Sequence, residues 1–356
     1  MQNPAPTRDS LAGKLPVSLI TGFLGSGKTT LLHRLLRDPG MNRAAVIINE
    51  FGEVGIDHEL VASSSERMTL LSNGCLCCTV RTDLQVTLLE LFIKRRAGEV
   101  IDFDRVFVET TGLADPVPVL HTLQTDGMLG AQYRLDCVVT LVDAVNGLQN
   151  LDNTPEAAKQ AAVADRIVIT KSDIAPPAAV AALEERLQRM NPYAARAVAI
   201  NGEVDVAFLR DVGPRSTRAT PRDLDRWLAP SGEARPAEGA YLGERVRAGA
   251  HDASIRSFCL WFDKPFTWDT FSAAVQVLTS LRGPDLLRVK GVVHVAGEPG
   301  PVVVQGAQHV FHPPVTLEAW SGMDRRSRIV FITRNLSRES IEALFAAIGT
   351  LAAPHG

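Results

Sequence analysis

The stretch Gly22-Phe23-Leu24-Gly25-Ser26-Gly27-Lys28-Thr29 constrains this chain more than any other. It fits G-x-x-x-x-G-K-[ST], follows an apolar run at 15–21 and opens a helical pattern at 28–37, which is the strand–loop–helix context that makes the motif a phosphate cradle. Glycines allow backbone N–H groups to curl around an anion without a Cβ clash, and the helix behind them adds free N–H groups and a positive dipole end. Gly22, Gly25, Ser26, Gly27, Lys28, Thr29 and Thr30 are therefore the expected phosphate contacts. Lys28 would reach the β- and γ-phosphates as a catalytic cation, and the Thr29 hydroxyl would hold Mg²⁺.

The sequence around this loop alternates strand and helix. Near-continuous apolar runs at 15–21, 44–49, 105–110, 136–142, 166–170 and 196–200 suit strands buried on both faces. Helical patterns fall between them at 28–37, 80–97, 116–129, 155–163 and 176–190, with Pro116 and Pro176–Pro177 at tolerated first-turn positions. The expected fold is α/β: a P-loop NTPase with a doubly wound parallel sheet, over 15–212. Residues 1–14 read as a flexible N-terminal arm. Residues 213–250, rich in Gly, Pro, Ala, Arg and Ser, read as a flexible linker with Trp227 and Leu228 as local anchors. In 251–352 strands outnumber helices, which predicts a second, smaller α+β domain with an antiparallel sheet.

A length of 356 residues agrees with two domains. Ordinary hydrophobic (46%) and charged (22%) shares exclude whole-chain disorder, collagen and coiled coil, and a net charge of −3 gives no electrostatic reason for a nucleic-acid or anionic-membrane partner. The apolar runs are too short to span a bilayer, and 1–14 carries no leader pattern, so the expected setting is the cytoplasm. A monomer and a homo-oligomer both fit.

Two further segments complete a nucleotide site. Glu109 ends an apolar strand and precedes Thr110-Thr111-Gly112, where Gly112 would let a backbone N–H approach a γ-phosphate and Glu109 would serve the metal; the alternative is that Glu109 caps the next helix. Thr170-Lys171-Ser172-Asp173 follows another strand. A carboxylate at Asp173 can accept from both guanine N1–H and N2–H₂, a pair adenine does not offer, and the Lys171 stem can cover the base plane. Thr170 stands where the guanine signature N-K-x-D has Asn, and its hydroxyl supplies part of the amide's bonding.

The chain has 5 cysteines, and Cys75, Cys77 and Cys78 fall within four residues. Adjacent cysteines make a poor disulfide, whereas three thiols can converge on a soft or borderline metal with Zn–S bonds of about 2.3 Å. A closed zinc site wants four ligands, so another group completes this one or it stays open, as suits a carrier that releases its metal. Glu53, Asp57 and His58 are candidate helpers. The alternative is a set of small buried cysteines. Cys137 and Cys259 are isolated and read as packing residues, as do His294, His309 and His312. Arg288 and Lys290 could face the nucleotide domain or a partner.

Taken together, GFLGSGKTT (22–30), INEFGEVGID (48–57), GCLCCTV (74–80), ETTGLADP (109–116) and TKSD (170–173) stand in the order of the CobW-type GTPases, and RVKGVVHV (288–295), VVQGAQHVF (303–311) and RIVFITRN (328–335) resemble that family's C-terminal domain. The resemblance implies a GTP-hydrolysing metal-delivery protein with zinc or cobalt as cargo and a client metalloprotein as partner. It places Cys75, Cys77 and Cys78 on the cargo metal, with Glu50, Glu53 and Asp57 in the first switch. Asp57 and Glu50 are both candidates to orient the attacking water. The chain departs from the pattern at Thr170, in lacking a histidine-rich linker, and at Ile48, where some members carry an additional acidic ligand. A nucleotide-regulated metal sensor or store and an ATP-using kinase are the competing readings.

Overall fold

In the computed structural model, the structure describes residues 11–41, 43–49, 67–70, 76–80, 84–210, 212, 224, 227–228, 255–320 and 324–351. The chain divides into two compact units: Leu15–Val212, and Gly213–Gly356 together with the residues up to Lys14.

The first unit is an eight-stranded sheet in the order β3-β4-β2-β5-β1-β6-β7-β8. The strands are β1 (Leu15–Gly22), β2 (Ala44–Asn49), β3 (Arg67–Leu70), β4 (Leu76–Val80), β5 (Arg105–Thr110), β6 (Tyr133–Asp143), β7 (Arg166–Thr170) and β8 (Ala195–Ala199). Every neighbouring pair is parallel except β3 with β4. The helices are α1 (Lys28–Leu35), α2 (Leu84–Ala97), α3 (Pro116–Thr125), α4 (Gly127–Gln132), α5 (Gly147–Asn153), α6 (Pro155–Val163) and α7 (Pro177–Met190). Apolar runs such as Val106–Val108 and Ile167–Ile169 are fully buried, as sheet strands covered on both faces must be. One core cluster joins Leu31, Leu32 and Leu35 of α1 to Ile20, Val46, Phe107, Val139 and Val168 of five strands.

The six strands read from sequence are all present, and the alternating α/β frame holds. Four local expectations are corrected. Residues 67–70 and 76–80 add an antiparallel hairpin at the sheet edge. Val80, where a helix was expected to begin, is still strand and pairs with Asn49, and the described helix runs over Leu84–Ala97. The helical stretch expected at 116–129 is two helices, broken at Asp126, whose extended backbone (ψ 117°) ends α3 and whose carboxylate caps α4 through Leu129 N–H. A short helix, α5, stands where none was expected.

The second unit holds β9 (Ile255–Phe262), α8 (Trp268–Arg282), β10 (Leu286–Val293), β11 (Val302–Ala307), β12 (Val310–Phe311), β13 (Val315–Thr316), β14 (Ser327–Arg334) and α9 (Arg338–Leu351). Its antiparallel sheet runs β12-β11-β10-β14-β9, with β13 also on β11. Leu260, Val289, Ile329 and Phe331 of the sheet share a core with Phe271 and Leu278 of α8 and Ile341 and Phe345 of α9. Trp227 is helical and buried, and the Lys290 ammonium sits 5.6 Å from its ring centroid. Arg288 and Lys290 are themselves buried on β10. No helix among the described residues is long and apolar enough to cross a membrane.

Candidate nucleotide site

Because the strands are parallel, their carboxyl ends share one edge, and ligands of open α/β sheets bind there. That edge brings together Gly22 at the end of β1, Glu109 and Thr110 at the end of β5, Asp143 at the end of β6 and Thr170 at the end of β7. The phosphate loop is built by close approach. Gly22 has φ +144°, and a Cβ there would lie 2.5 Å from the Leu141 carbonyl oxygen. Gly25 and Gly27 take left-handed backbones (φ +70° and +93°), the curl that turns successive N–H groups inward. Gly27 caps α1 with no side-chain hydrogen bond, so the donors of the first turn are left to an anion.

The Lys28 ammonium is folded over the loop, donating to the carbonyls of Gly22 at 2.8 Å and Phe23 at 3.2 Å. Thr29, half-buried in the first turn of α1, makes no side-chain hydrogen bond among the described residues. Its hydroxyl, the nearby carboxylate of Glu109 and a phosphate oxygen are the hard oxygen donors that Mg²⁺ prefers, so these residues fit that ion. Glu109 is 5% exposed, and it does not cap the next helix: Asp115 does, accepting from Val117 N–H at 3.0 Å. The hydroxyl of Thr110 donates to that of Thr21 at 2.8 Å and locks the ends of β5 and β1 together.

Gly112 stands against the phosphate loop. A Cβ on it would come 2.7 Å from Leu24 N, so only glycine permits this approach. At the end of β7, Thr170 donates to the Ser26 carbonyl at 2.8 Å. Lys171 holds a left-handed backbone (φ +58°), costly for a non-glycine residue, and its ammonium meets Asp143 at 2.7 Å. Asp143 also accepts from Val145 N–H at 2.7 Å and from the Asn146 amide at 3.1 Å. Burial alone would push this carboxyl up, but the Lys171, Val145 and Asn146 hydrogen bonds outweigh it and hold Asp143 below the ordinary carboxylate range. Asp173 is exposed on the turn after β7.

A cavity of about 470 Å³, within the usual range for ligand sites, lies beside α1 and is lined by Thr29, Thr30, His33, Arg34, Arg37 and Asn201. The turn after β8 is fixed to α1 by Arg34, which donates to the Asn201 carbonyl at 3.1 Å and pairs with Glu203 at 3.5 Å. Asn201 carries no motif signal in the sequence beyond its place after a strand. Asp143 was legible only as a polar strand end.

Two of the three clustered cysteines lie on a strand. Cys77 and Cys78 are in β4, in register with Val46 and Ile47 of β2 and with Thr69 and Met68 of β3. Two strands, β2 and β5, separate β4 from β1, a span of about 14 Å at the usual strand spacing. Cys75, Glu50, Glu53, Asp57 and His58 lie outside the described residues. Of the isolated cysteines, Cys137 is fully buried, and burial pushes the Cys259 thiol up to about 11, which suits packing rather than reactivity.

The family model for the CobW/HypB/UreG nucleotide-binding domain matches residues 16–197, and that for the cobalamin synthesis protein cobW C-terminal domain matches 255–349. The chain belongs to the CobW family. Among its CobW relatives, the zinc chaperone YjiA of Escherichia coli is 32% identical over 94% of this chain and 98% of its own length. The zinc chaperone CobW of Pseudomonas aeruginosa is 30% identical over 92% and 90%. The crystal structure of Zn(II)-bound YjiA GTPase from E. coli superposes with a TM-score of 0.70 at 31% identity, covering 94% of this chain and 99% of that one. That match supports the P-loop sheet and the antiparallel second domain together.

Proposed function

We propose that this chain is a GTP-hydrolysing metallochaperone that binds zinc, with cobalt as the second candidate, at Cys75, Cys77 and Cys78 and passes it to a client metalloprotein. The observation that carries the reading is the bond from Thr170 to Ser26, which ties a Lys-x-Asp base-reading turn to a complete phosphate loop in a chain that also holds a cysteine triplet. Relatives that share nearly its whole length are named zinc chaperones and a zinc-regulated GTPase metalloprotein activator.

In this reading Lys28 leaves the loop carbonyls for the β- and γ-phosphates and neutralises charge that grows on them in the transition state. Thr29 and Glu109 would hold Mg²⁺, which supplies further charge neutralisation when bound. Asp173 accepts from guanine, and the Lys171 stem, steadied through Asp143, lies along the base. Asp57 or Glu50 orients the attacking water. Gly112 meets the γ-phosphate and loses that contact on hydrolysis.

The strand order supplies a route to the metal. β2 lies between β5, which carries Glu109, and β4, which carries Cys77 and Cys78, and β2 runs directly into Glu50. Nucleotide state at the end of β5 then reaches the thiols through β2 and the residues that follow it. Residues 213–250 link this domain to the second.

Competition of GTP against ATP tests the base assignment, with GTP expected to win clearly and parity contradicting it. Zinc-dependent GTP hydrolysis compared between wild type and Cys77→Ala tests the metal assignment. Loss of the zinc dependence is expected, and an unchanged dependence would contradict it.

A further inference from the structure

Gln160 lies on α6, outside every motif read from the sequence, and is fully buried. A glutamine has one amide nitrogen with two hydrogens. Here both are used on one turn: Nε2 donates to the Gly112 carbonyl at 3.1 Å and to the Ala114 carbonyl at 3.0 Å. Because a peptide is planar, holding these two carbonyls fixes the planes of the 112–113 and 114–115 peptides. The next residue of the turn, Asp115, is paired with Lys159, the neighbour of Gln160 on α6.

The helix that carries Gln160 is anchored from several sides. Thr140 of β6 donates to the Gln160 carbonyl at 2.7 Å. The two amide hydrogens of Asn191 are shared among the carbonyls of Ala161, Ala162 and Ala164, at 2.9–3.0 Å, so the C-terminal end of α6 is held by a side chain from beyond α7. Asp165 accepts from Val138 N–H at 2.8 Å. Gln160 is thus a donor on a rigid post, aimed at the turn whose Gly112 abuts Leu24 of the phosphate loop. Its Oε1 is buried with no hydrogen-bond partner among the described residues, and burying a polar side chain at that cost is uncommon where only packing is required.

We propose that Gln160 is the positioning residue for the phosphate-sensing turn: it holds the Gly112 and Ala114 carbonyls so that the turn meets the γ-phosphate in one geometry. This rests on the reading that Gly112 contacts the γ-phosphate. GDP, which lacks that phosphate, does not depend on the turn, so the residue acts on hydrolysis and on GTP-over-GDP discrimination, and leaves GDP binding alone.

The test compares wild type, Gln160→Met and Gln160→Glu for GTP hydrolysis and for affinity toward GDP and a non-hydrolysable GTP analogue. Met keeps the volume and removes both donors. Its kcat is expected to fall at least about tenfold, with analogue affinity reduced and GDP affinity kept within about threefold. Glu at this site is desolvated, so its pKa rises, and its protonated form regains one donor. Its activity relative to wild type is expected to recover as pH falls from about 8 to about 6. Such a recovery is not expected from a purely structural defect, and the Glu profile decides the matter if the Met variant fails to fold. Unchanged kcat and discrimination in folded Gln160→Met, equal losses of GDP and analogue affinity, or a flat Glu profile would overturn the inference while leaving the GTPase reading intact. A wild-type chain that neither hydrolyses GTP nor distinguishes it from GDP would overturn that reading, and the inference with it.

Discussion

The Thr170 hydroxyl and the Ser26 carbonyl, 144 residues apart in sequence, are joined by a 2.8 Å hydrogen bond that couples the turn after β7, proposed to read the base, to the phosphate loop. An asparagine amide in the guanine signature has two N–H donors and an acceptor; the threonine hydroxyl has one donor, used here on Ser26, and an acceptor oxygen, so one donor is lost. Thr170→Val preserves the shape and deletes the bond. GTP affinity is expected to fall about 3- to 10-fold, the worth of one such bond, with the preference over ATP kept because Asp173 is untouched. A fluorescent-nucleotide titration checks both.

The Lys28 ammonium is held over the loop by its own hydrogen bonds to the Gly22 and Phe23 carbonyls. Lys28→Ala is expected to lower GTP hydrolysis by about 100-fold or more, since the charge it opposes develops at the phosphates. Circular dichroism separates loss of the charge from loss of fold: an unchanged spectrum is expected, because the sheet and helix cores do not include this side chain.

Asp143 makes stability depend on acid. Its folded-state pKa is held below the ordinary 3.8, so its contribution is present above the unfolded value and is lost as pH falls through the folded one. Thermal melts of wild type and Asp143→Asn are expected to differ by a constant amount at neutral pH and to converge below about pH 4. The variant should also bind GTP more weakly at neutral pH, because Lys171 loses the partner that holds its left-handed backbone.

Much of this architecture was legible in the sequence because it rests on local signals. Runs such as 44–49, 105–110 and 166–170 have a continuous apolar centre with polar residues at or next to their ends, and they form strands with those limits. The phosphate loop was legible because its glycines, lysine and threonine each answer a separate geometric need.

What stayed hidden depends on contacts distant in the chain. Leu76–Val80 pairs as a strand between β2 and β3, and its cysteines drew attention to metal chemistry rather than to secondary structure. The segment of α5 is polar, begins at Gly147 and has no apolar period, so nothing local announces a helix. Asp143 and Gln160 are unremarked polar residues in apolar surroundings. Their roles come from Lys171, 28 residues away, and from Gly112, 48 residues away.

The coupling of nucleotide state to zinc is the central claim, and it is measured most directly by titrating zinc into the full chain loaded with a non-hydrolysable GTP analogue or with GDP, with Cys77→Ala alongside. Zinc affinity is expected to differ at least about fivefold between the two nucleotide states, and the difference is expected to vanish in the variant. Equal affinities in the two states would contradict the account, because a nucleotide indifferent to the metal-binding conformation shifts nothing.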